Sequence, residues 1–166
     1  MDINLFLQNV LSDLRIELKD EFDRNFEKKA FFDQAWKNPK FHNSRGSMMA
    51  RTNNLRRSIN AHVEADRIVF TSSLPYASIQ NEGGEITVTA KMKRYFWAKF
   101  IEAGKRGIQA EQWKAMALKK VGSKIKIESR RYIGSHPRIK EIVQEIVNEN
   151  LTDLNKIIVT ALQQKP

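Results

Sequence analysis

The sequence predicts an α+β fold in which a small antiparallel β-sheet packs against long N- and C-terminal helices and carries a helical insertion. Three observations support this fold class. Apolar residues recur at helical spacing at both ends of the chain, two alternating runs near the middle are typical of a β-hairpin, and a further helical pattern interrupts the sheet region. With 166 residues, the chain is expected to form a single domain over 1–166.

The two terminal helices follow from their apolar stripes. Leucines and phenylalanines recur every three or four residues between Leu7 and Phe26, which predicts a helix over 2–30. A second stripe runs from Ile139 to Leu162 with Pro137 in its first turn, which predicts a helix over 136–162. Stripes this regular indicate core packing.

Residues 33–51 lack periodicity and contain Asn-Pro and Arg-Gly pairs, so a long loop is expected there. Trp36 is costly to leave in water. Two alternatives stay open: Trp36 anchors the loop to the domain, or the loop meets a neighbouring subunit.

The sheet region is expected over 55–134. Strands over 59–64 and 68–73 flank a polar turn, and Gly83-Gly84 ends a short helix over 76–82. Further strands are expected over 85–89 and 124–128, with a helical insertion over 91–121 between them.

The positive charge is concentrated in one segment. The net charge of the chain is +10, and residues 91–140 hold fifteen Lys or Arg against three Asp or Glu, a net +12. This segment either faces a polyanion or is a solvated face that keeps the protein soluble. Aromatic residues among the bases could stack on single-stranded nucleic acid, but the spacing of Met92, Phe96 and Phe100 favours core burial. The candidate polyanion-facing residues are Lys91, Lys93, Arg94, Lys99, Lys105 and Arg106.

No catalytic or metal-binding pattern stands out. The chain has no cysteine, and its histidines, His42, His62 and His136, have no acid or histidine at metal-ligand spacing. The sequence contains no run of about 18 apolar residues, so a membrane span is not expected. Its N-terminus lacks the basic region of a signal peptide, so a signal peptide is not expected either. We therefore expect a protein that is not an enzyme, with no cofactor, no metal and no membrane contact.

Three stretches resemble motifs of the bacteriophage virion-morphogenesis family: Thr-Asn-Asn-Leu-Arg-Arg-Ser-Ile at 52–59, Leu-Pro-Tyr-Ala-Ser-Ile-Gln-Asn-Glu-Gly-Gly at 74–84, and Arg-Arg-Tyr-Ile-Gly at 130–134. Residues 86–98 are similar to an insertion found in some members. Asn53 or Asn54 stands where the family usually has glycine, which asparagine tolerates because it accepts left-handed backbone angles. Tyr132 replaces the usual phenylalanine, and Arg131 the usual proline.

The resemblance implies a structural tail-completion, neck or head-tail joining protein of a phage or prophage. It implies a homo-oligomeric ring, contacts with head-connector and tail proteins, and a place in the virion at the head-tail junction or tail end after assembly in the host cytoplasm. The basic segment would then face either the DNA that passes through the ring, as a non-specific contact, or an acidic partner surface. The motif residues are Leu55, Ser58, Ile59, Tyr76, Ala77, Gly83, Gly84, Arg131, Ile133 and Gly134. Among them, Leu55, Tyr76 and Ile133 are expected to be core anchors and the glycines at 83 and 84 to be backbone requirements. The alternative is a sequence-independent nucleic-acid-binding protein that uses the basic segment 91–140.

Overall fold

The computed structural model describes residues 3–39 and 46–163. The helices are α1 Ile3–Lys28, α2 Asn54–Arg57, α3 Ala77–Glu82, α4 Ala90–Glu102, α5 Ile108–Ala117 and α6 Pro137–Gln163. The strands are β1 Ala30–Phe31, β2 Gln34–Ala35, β3 Ile59–Glu64, β4 Arg67–Ser72, β5 Gly84–Thr87 and β6 Lys124–Ile127. The predicted α+β class, with long terminal helices and a helical insertion, is confirmed.

The strands differ from the expected arrangement in two respects. β1 and β2 lie at the end of the predicted helix 2–30 and in the predicted loop 33–51, where no strand is expected. Instead of one sheet, the described strands form three two-stranded antiparallel pairs, β1-β2, β3-β4 and β5-β6. The β3-β4 hairpin turns at Ala65, which has a φ of 52°, and β3 alternates between more and less buried residues as its sequence predicts. Alternation identifies a strand and its inner face, but it does not identify the partner strand.

The two long helices run antiparallel along one side of the β3-β4 hairpin. At one end, the His136 side chain, just before α6, lies 2.9 Å from Asp33, just after α1. Further along, Asn150 of α6 donates to Asp13 of α1 at 2.9 Å. A buried cluster of Leu14, Leu18 and Ile142 lies between these points, and Val10 extends it by one turn past Asp13. The apolar stripes of both helices therefore do form core over this length, as expected.

A second buried cluster joins the N-terminal part to the sheet region. It consists of Phe26, Trp36, Leu55, Ile59, Ala77 and Tyr132. Trp36 is 8% exposed, and its indole nitrogen donates to the carbonyl of Arg131 at 2.7 Å. Trp36 therefore anchors its segment to the body, the first of the two alternatives for it. Part of the predicted loop, residues 40–45 with His42, lies outside the described residues.

Residues 84–127 form a unit that we call the arm. The β5-β6 pair is its base, and α4 and α5 pack on each other beyond it. Val88, Phe96, Ala110 and Ala117 are buried there and belong to neither body cluster. Phe96 stacks on Trp113 with ring centroids 6.0 Å apart. The arm therefore has a small core of its own.

Candidate functional site

The second and third family motifs meet at Tyr132. The backbone N–H groups of Tyr132 and Ile133 donate to Oδ1 of Asn81 at 2.9 and 3.1 Å, and Asn81 Nδ2 donates to the carbonyl of Ile133 at 3.0 Å. The Tyr132 hydroxyl donates to the carbonyl of Ala77 at 3.0 Å. These contacts hold residues 130–134 against α3. We call this site the motif junction and define it by Leu55, Ala77, Asn81, Tyr132 and Ile133.

The N-terminal part of the chain completes the junction from the other side. Asn25 is 1% exposed, donates to the carbonyl of Tyr132 at 3.1 Å and accepts from the backbone N–H of Phe32 at 2.9 Å. The indole nitrogen of Trp36 likewise donates to the carbonyl of Arg131. A buried polar group without a partner costs about 1–3 kcal/mol, so these bonds are needed wherever an irregular segment crosses a core.

The first motif contributes Leu55 to the core and contacts the β3-β4 hairpin through Ser58. Leu55 is 5% exposed, and the Ser58 hydroxyl donates to its carbonyl at 2.7 Å and lies 2.7 Å from the Ser72 hydroxyl. Asn53 has a φ of 57°, which places the left-handed residue of this motif at 53 and not at 54. Ile59 follows as a buried residue at the start of β3.

Arg56 ties the first motif to α1. Its guanidinium donates to both carboxylate oxygens of Asp23 and, at 2.7 Å, to Glu27. These acids raise the pKa of Arg56 above its usual value, chiefly through the hydrogen bonds to Asp23. The fork-shaped guanidinium suits this two-oxygen contact better than an ammonium group would.

The two glycines of the second motif are backbone requirements, as predicted. Gly83 has a φ of 75° and a ψ of −172°, a combination that is almost restricted to glycine. A Cβ atom there would lie 2.8 Å from the backbone nitrogen of Ser129. Gly84 has a φ of 146°, and a Cβ atom there would meet the Ile79 side chain at 3.5 Å. The chain can therefore turn from α3 into β5 close beside residues 127–129.

The prediction that Tyr76 is a core anchor is wrong. Its side chain precedes α3, is 41% exposed and lines an open surface groove with Met48, Met49 and Arg51. Ala77 is the buried residue of that motif, and Tyr132 provides the aromatic ring that fills the core. Ile133 is half-buried and packs against this cluster, as expected of an anchor.

Arg131 and Gly134 lie at the rim of the junction. The Arg131 guanidinium sits 5.7 Å from the centre of the Phe31 ring and 3.8 Å from the Glu82 carboxylate. A Cβ atom at Gly134 would lie 3.2 Å from the Arg131 side chain. The small residue therefore leaves room for the arginine to fold back.

Burial has a measurable electrostatic consequence at the junction. Removal from water raises the pKa of the Tyr132 hydroxyl to about 12, and the negative charge of Glu82 adds to this effect.

Sequence reasoning missed Asn25 and Asn81, which carry much of the junction. Asn25 stands three residues after Phe22 and one before Phe26, inside a buried stripe of α1. A polar residue within such a stripe is the signal that could have pointed to it. Asn81 stands in an Asn-Glu-Gly-Gly run, and the two glycines already explain why α3 ends there. The hydrogen bonds that Asn81 makes to Tyr132 and Ile133 therefore leave no separate pattern in the sequence.

The candidate polyanion-facing residues all lie on or near the α4-α5 pair. Lys99 is paired with Glu102 at 2.6 Å and lies over the Tyr95 ring at 5.9 Å. The other five have no carboxylate partner at ion-pair distance among residues 3–39 and 46–163; they are Lys91, Lys93, Arg94, Lys105 and Arg106. The arm holds eleven Lys or Arg against three Glu, a net charge of +8.

Residues 3–39 and 46–163 contain neither a metal-binding group nor a membrane-spanning helix. Over the described residues, no group of three or more His, Asp or Glu side chains is placed to hold a metal ion. None of the helices in this part of the chain combines the length and the apolar character needed to cross a bilayer.

The fold and the junction define an α+β scaffold whose motif residues bind backbone segments of its own chain. A model of the phage virion morphogenesis family matches residues 8–152, and the chain belongs to that family. The match begins within α1, includes all three motif stretches and the arm, and gives the protein a role in the assembly of the phage particle. No curated protein and no solved structure gives a significant match to the chain.

Proposed function

We propose that the protein is a tail-completion or head-tail joining protein that self-assembles, as a ring, between the head connector and the tail. It acts as a structural component of the virion and performs no catalytic step. Family membership supports the general role. The observation that carries the finer proposal is the arm, a cationic unit with a separate small core that extends from the motif-bound body.

The arm is suited to contact an anionic surface. The five candidate residues without a carboxylate partner among the described residues keep their charge available, unlike Lys99, which is neutralised by Glu102. Such a field attracts either the DNA that passes through a ring or an acidic face of a neighbouring protein. We therefore assign the polyanion-facing role to Lys91, Lys93 and Arg94 at the start of α4.

A charge-reversal experiment tests this role. The triple variant Lys91→Glu, Lys93→Glu, Arg94→Glu is expected to have a free energy of unfolding within about 1 kcal/mol of that of the wild type, because none of these side chains is fully buried. Infectious-particle yield in a complementation assay is expected to fall at least tenfold. The matched control reverses three exposed body lysines, Lys19, Lys37 and Lys140, and should keep the yield. Wild-type yield from the arm variant would remove the proposed role of these residues.

A second candidate function is sequence-independent nucleic-acid binding. The exposure of Tyr95 (53%) and Trp97 (37%) on the cationic arm favours it, since exposed aromatic rings can stack on bases. Against it, the Lys99 ammonium lies over the Tyr95 ring at 5.9 Å from its centre, and the same ring packs at right angles to Trp113. Binding to a short duplex and to a single strand should weaken steeply between about 50 and 200 mM salt if this function is right. A flat salt dependence, or no binding, removes it.

A further inference from the structure

The groove beside Tyr76 is lined by residues from all three family motifs. Leu55 comes from the first motif, Tyr76 from the second and Arg130 from the third, while Met49 and Arg51 come from the segment before the first motif. The groove has a volume of about 790 Å³, which is large enough to hold several side chains of a bound segment. We call it the motif groove and define it by Lys29, Met48, Met49, Arg51, Tyr76 and Arg130.

The lining of the motif groove carries positive charge. Its cations are Lys29, Arg51 and Arg130, and none of the described residues that line it is Asp or Glu. These cations also have no carboxylate partner at ion-pair distance among residues 3–39 and 46–163. An anionic group is therefore attracted to the groove without displacing an ion pair that already exists there.

The Arg130 guanidinium has unused hydrogen-bonding capacity. Its Nε atom is buried and has no hydrogen-bond partner among the described residues. A terminal nitrogen of the same group reaches the carbonyl of Lys37 only at 3.5 Å, which is the outer limit of a hydrogen bond. A buried donor without a partner destabilises a protein. Since a carboxylate accepts from two guanidinium nitrogens at once, an acidic occupant gives Arg130 the partner that the described chain does not, once the side chain turns towards the groove.

The apolar part of the lining favours a protein segment over a nucleic acid. Met48 and Met49 line the groove and are half-buried, because they also pack against the core cluster that contains Leu55. The Tyr76 side chain is 41% exposed. Tyrosine, methionine and arginine are enriched at protein interfaces, and binding depends most often on aromatic residues and arginine. A phosphate backbone would pair with the cations alone and leave the methionines and the tyrosine ring uncovered.

The acids of this chain are poorly suited to fill the groove. Most of the Asp and Glu side chains in the described residues already lie within ion-pair distance of a basic side chain of the same copy. Residues 40–45, which connect two sides of the groove in sequence, include Lys40 and Arg45 and no acid. The anion that complements the groove is therefore expected from a different protein.

We propose that the motif groove binds an acidic segment of a different protein, in which a carboxylate lies next to a large apolar side chain. The carboxylate pairs with Arg130 and Arg51, and the apolar side chain packs between Tyr76 and Met49. This site goes beyond the proposed function, since none of its lining residues belongs to the arm and the contact requires neither a ring nor DNA. Self-assembly through the arm and capture of another protein by the groove are separate contacts.

Fluorescence anisotropy with labelled peptides at physiological ionic strength tests the site. The probe is Gly-Leu-Glu-Leu-Glu-Leu-Gly, and its matched control is Gly-Ser-Glu-Ser-Glu-Ser-Gly, which has the same charge but no large apolar side chain. The wild type is expected to bind the leucine peptide roughly tenfold more tightly than the serine peptide, because the leucines are buried against the methionines and the tyrosine ring. A purely electrostatic site, such as the arm surface, would bind the two peptides equally.

Charge reversals locate the bound peptide. The groove variant, Lys29→Glu with Arg51→Glu, changes exposed side chains and should bind the leucine peptide roughly tenfold more weakly than the wild type. Its matched control reverses two exposed cations elsewhere on the body, Lys19→Glu with Lys140→Glu, and should bind as the wild type does. The charge-reversed arm variant should also keep its affinity for this peptide. Circular dichroism, with melting temperatures near that of the wild type, establishes that each variant is folded.

Arg130→Lys tests the guanidinium itself. This substitution keeps the positive charge but removes the pair of nitrogens that binds both oxygens of a carboxylate. It should weaken binding of the leucine peptide roughly threefold to tenfold and leave the weaker binding of the serine peptide nearly unchanged. Equal affinity of Arg130→Lys and the wild type for the leucine peptide would remove the role given to Arg130.

Four results would overturn the proposal. No binding of the leucine peptide up to about 1 mM would remove the site. Binding that survives the groove reversal but is lost in the arm variant would place the acidic segment on the arm. A short DNA duplex that binds at the groove, where the leucine peptide does not, would assign the groove to nucleic acid. Wild-type oligomers that the groove reversal breaks up would show that a second copy of this chain occupies the groove.

Discussion

The motif junction and the arm use their residues in opposite ways. At the junction, Tyr132 and Asn25 are 3% and 1% exposed and their hydrogen-bonding groups are directed at backbone atoms of the same chain. On the arm, Trp97 and Ile101 are exposed, and Arg94 has no acidic partner among the described residues. The buried motif residues therefore mark what holds the fold together, and the cationic surface that is open to other molecules lies outside them.

The difference also sets where stability resides. The junction connects segments about 50 to 110 residues apart in sequence, such as Asn25 with Tyr132 and Asn81 with Ile133, so its loss releases several parts of the fold at once. The contacts within α4 and α5 are mostly local, such as Phe96 with Trp113. Substitutions at the junction should lower the free energy of unfolding, and substitutions on the arm surface should change assembly instead.

The largest expected effect on stability is at Tyr132. Tyr132→Ala should lower the free energy of unfolding by about 3–5 kcal/mol, because it leaves a cavity beside Phe26 and removes the bond to Ala77. The arm counterpart, Tyr95→Ala, should cost about 1 kcal/mol or less because this ring is half exposed. Urea titration followed by circular dichroism measures both. Equal losses would contradict the division between body and arm.

A smaller effect is expected from two glycines with similar φ angles. Gly83→Ala should cost about 2–4 kcal/mol, since the backbone angles are strained for alanine and the new Cβ atom meets the Ser129 backbone. Gly104, on the arm, has a φ of 73°, but no described atom lies within 4 Å of the place where a Cβ atom would be, so Gly104→Ala should cost only the strain of about 1–2 kcal/mol. Chemical denaturation of the two variants gives the comparison, and a Gly104→Ala loss as large as that of Gly83→Ala would refute it.

The smallest effect is a pH dependence at the junction. Burial raises the pKa of Tyr132 to about 12 from its usual 10, so between these values the folded state keeps a proton that the unfolded state has lost. The neutral hydroxyl therefore contributes stability that is fully present below pH 10 and is lost as the pH rises towards 12. Tyr132→Phe should lose less stability than the wild type between pH 9 and 11.5, as measured by urea midpoints. Identical losses would mean that this hydroxyl titrates normally in the fold.

The elements of the fold could be predicted from local patterns. The stripe that contains Leu14 and Leu18 identified α1, the alternation of Ile59 and Val63 identified β3, and Gly83-Gly84 marked the end of α3. Each of these signals lies within a few residues of the structure that it specifies. The same is true of the helical insertion, whose Phe96 points inward as its spacing indicated.

The partners of these elements could not be predicted in this way. The pairing of β5 with β6 joins residues about 40 apart, and the hydrogen bonds of Asn25 and Asn81 depend on where distant backbone groups lie. The motif resemblance predicts Tyr76 in the core, but Tyr132, from another part of the chain, occupies that space. Competition between distant residues for one volume leaves no periodic signal.

Replacement of the arm provides the most direct test of the central claim that assembly belongs to the arm and folding to the body. Val88 and Ser123 are paired across the end of the β5-β6 ladder by a backbone bond of 2.8 Å, so an Asn-Gly turn can replace residues 89–122 and close the hairpin. Native mass spectrometry should then detect a compact, low-charge monomer at concentrations where the wild type forms discrete oligomers. Wild-type oligomers from the shortened chain, or the broad high-charge distribution of an unfolded protein, would contradict the account.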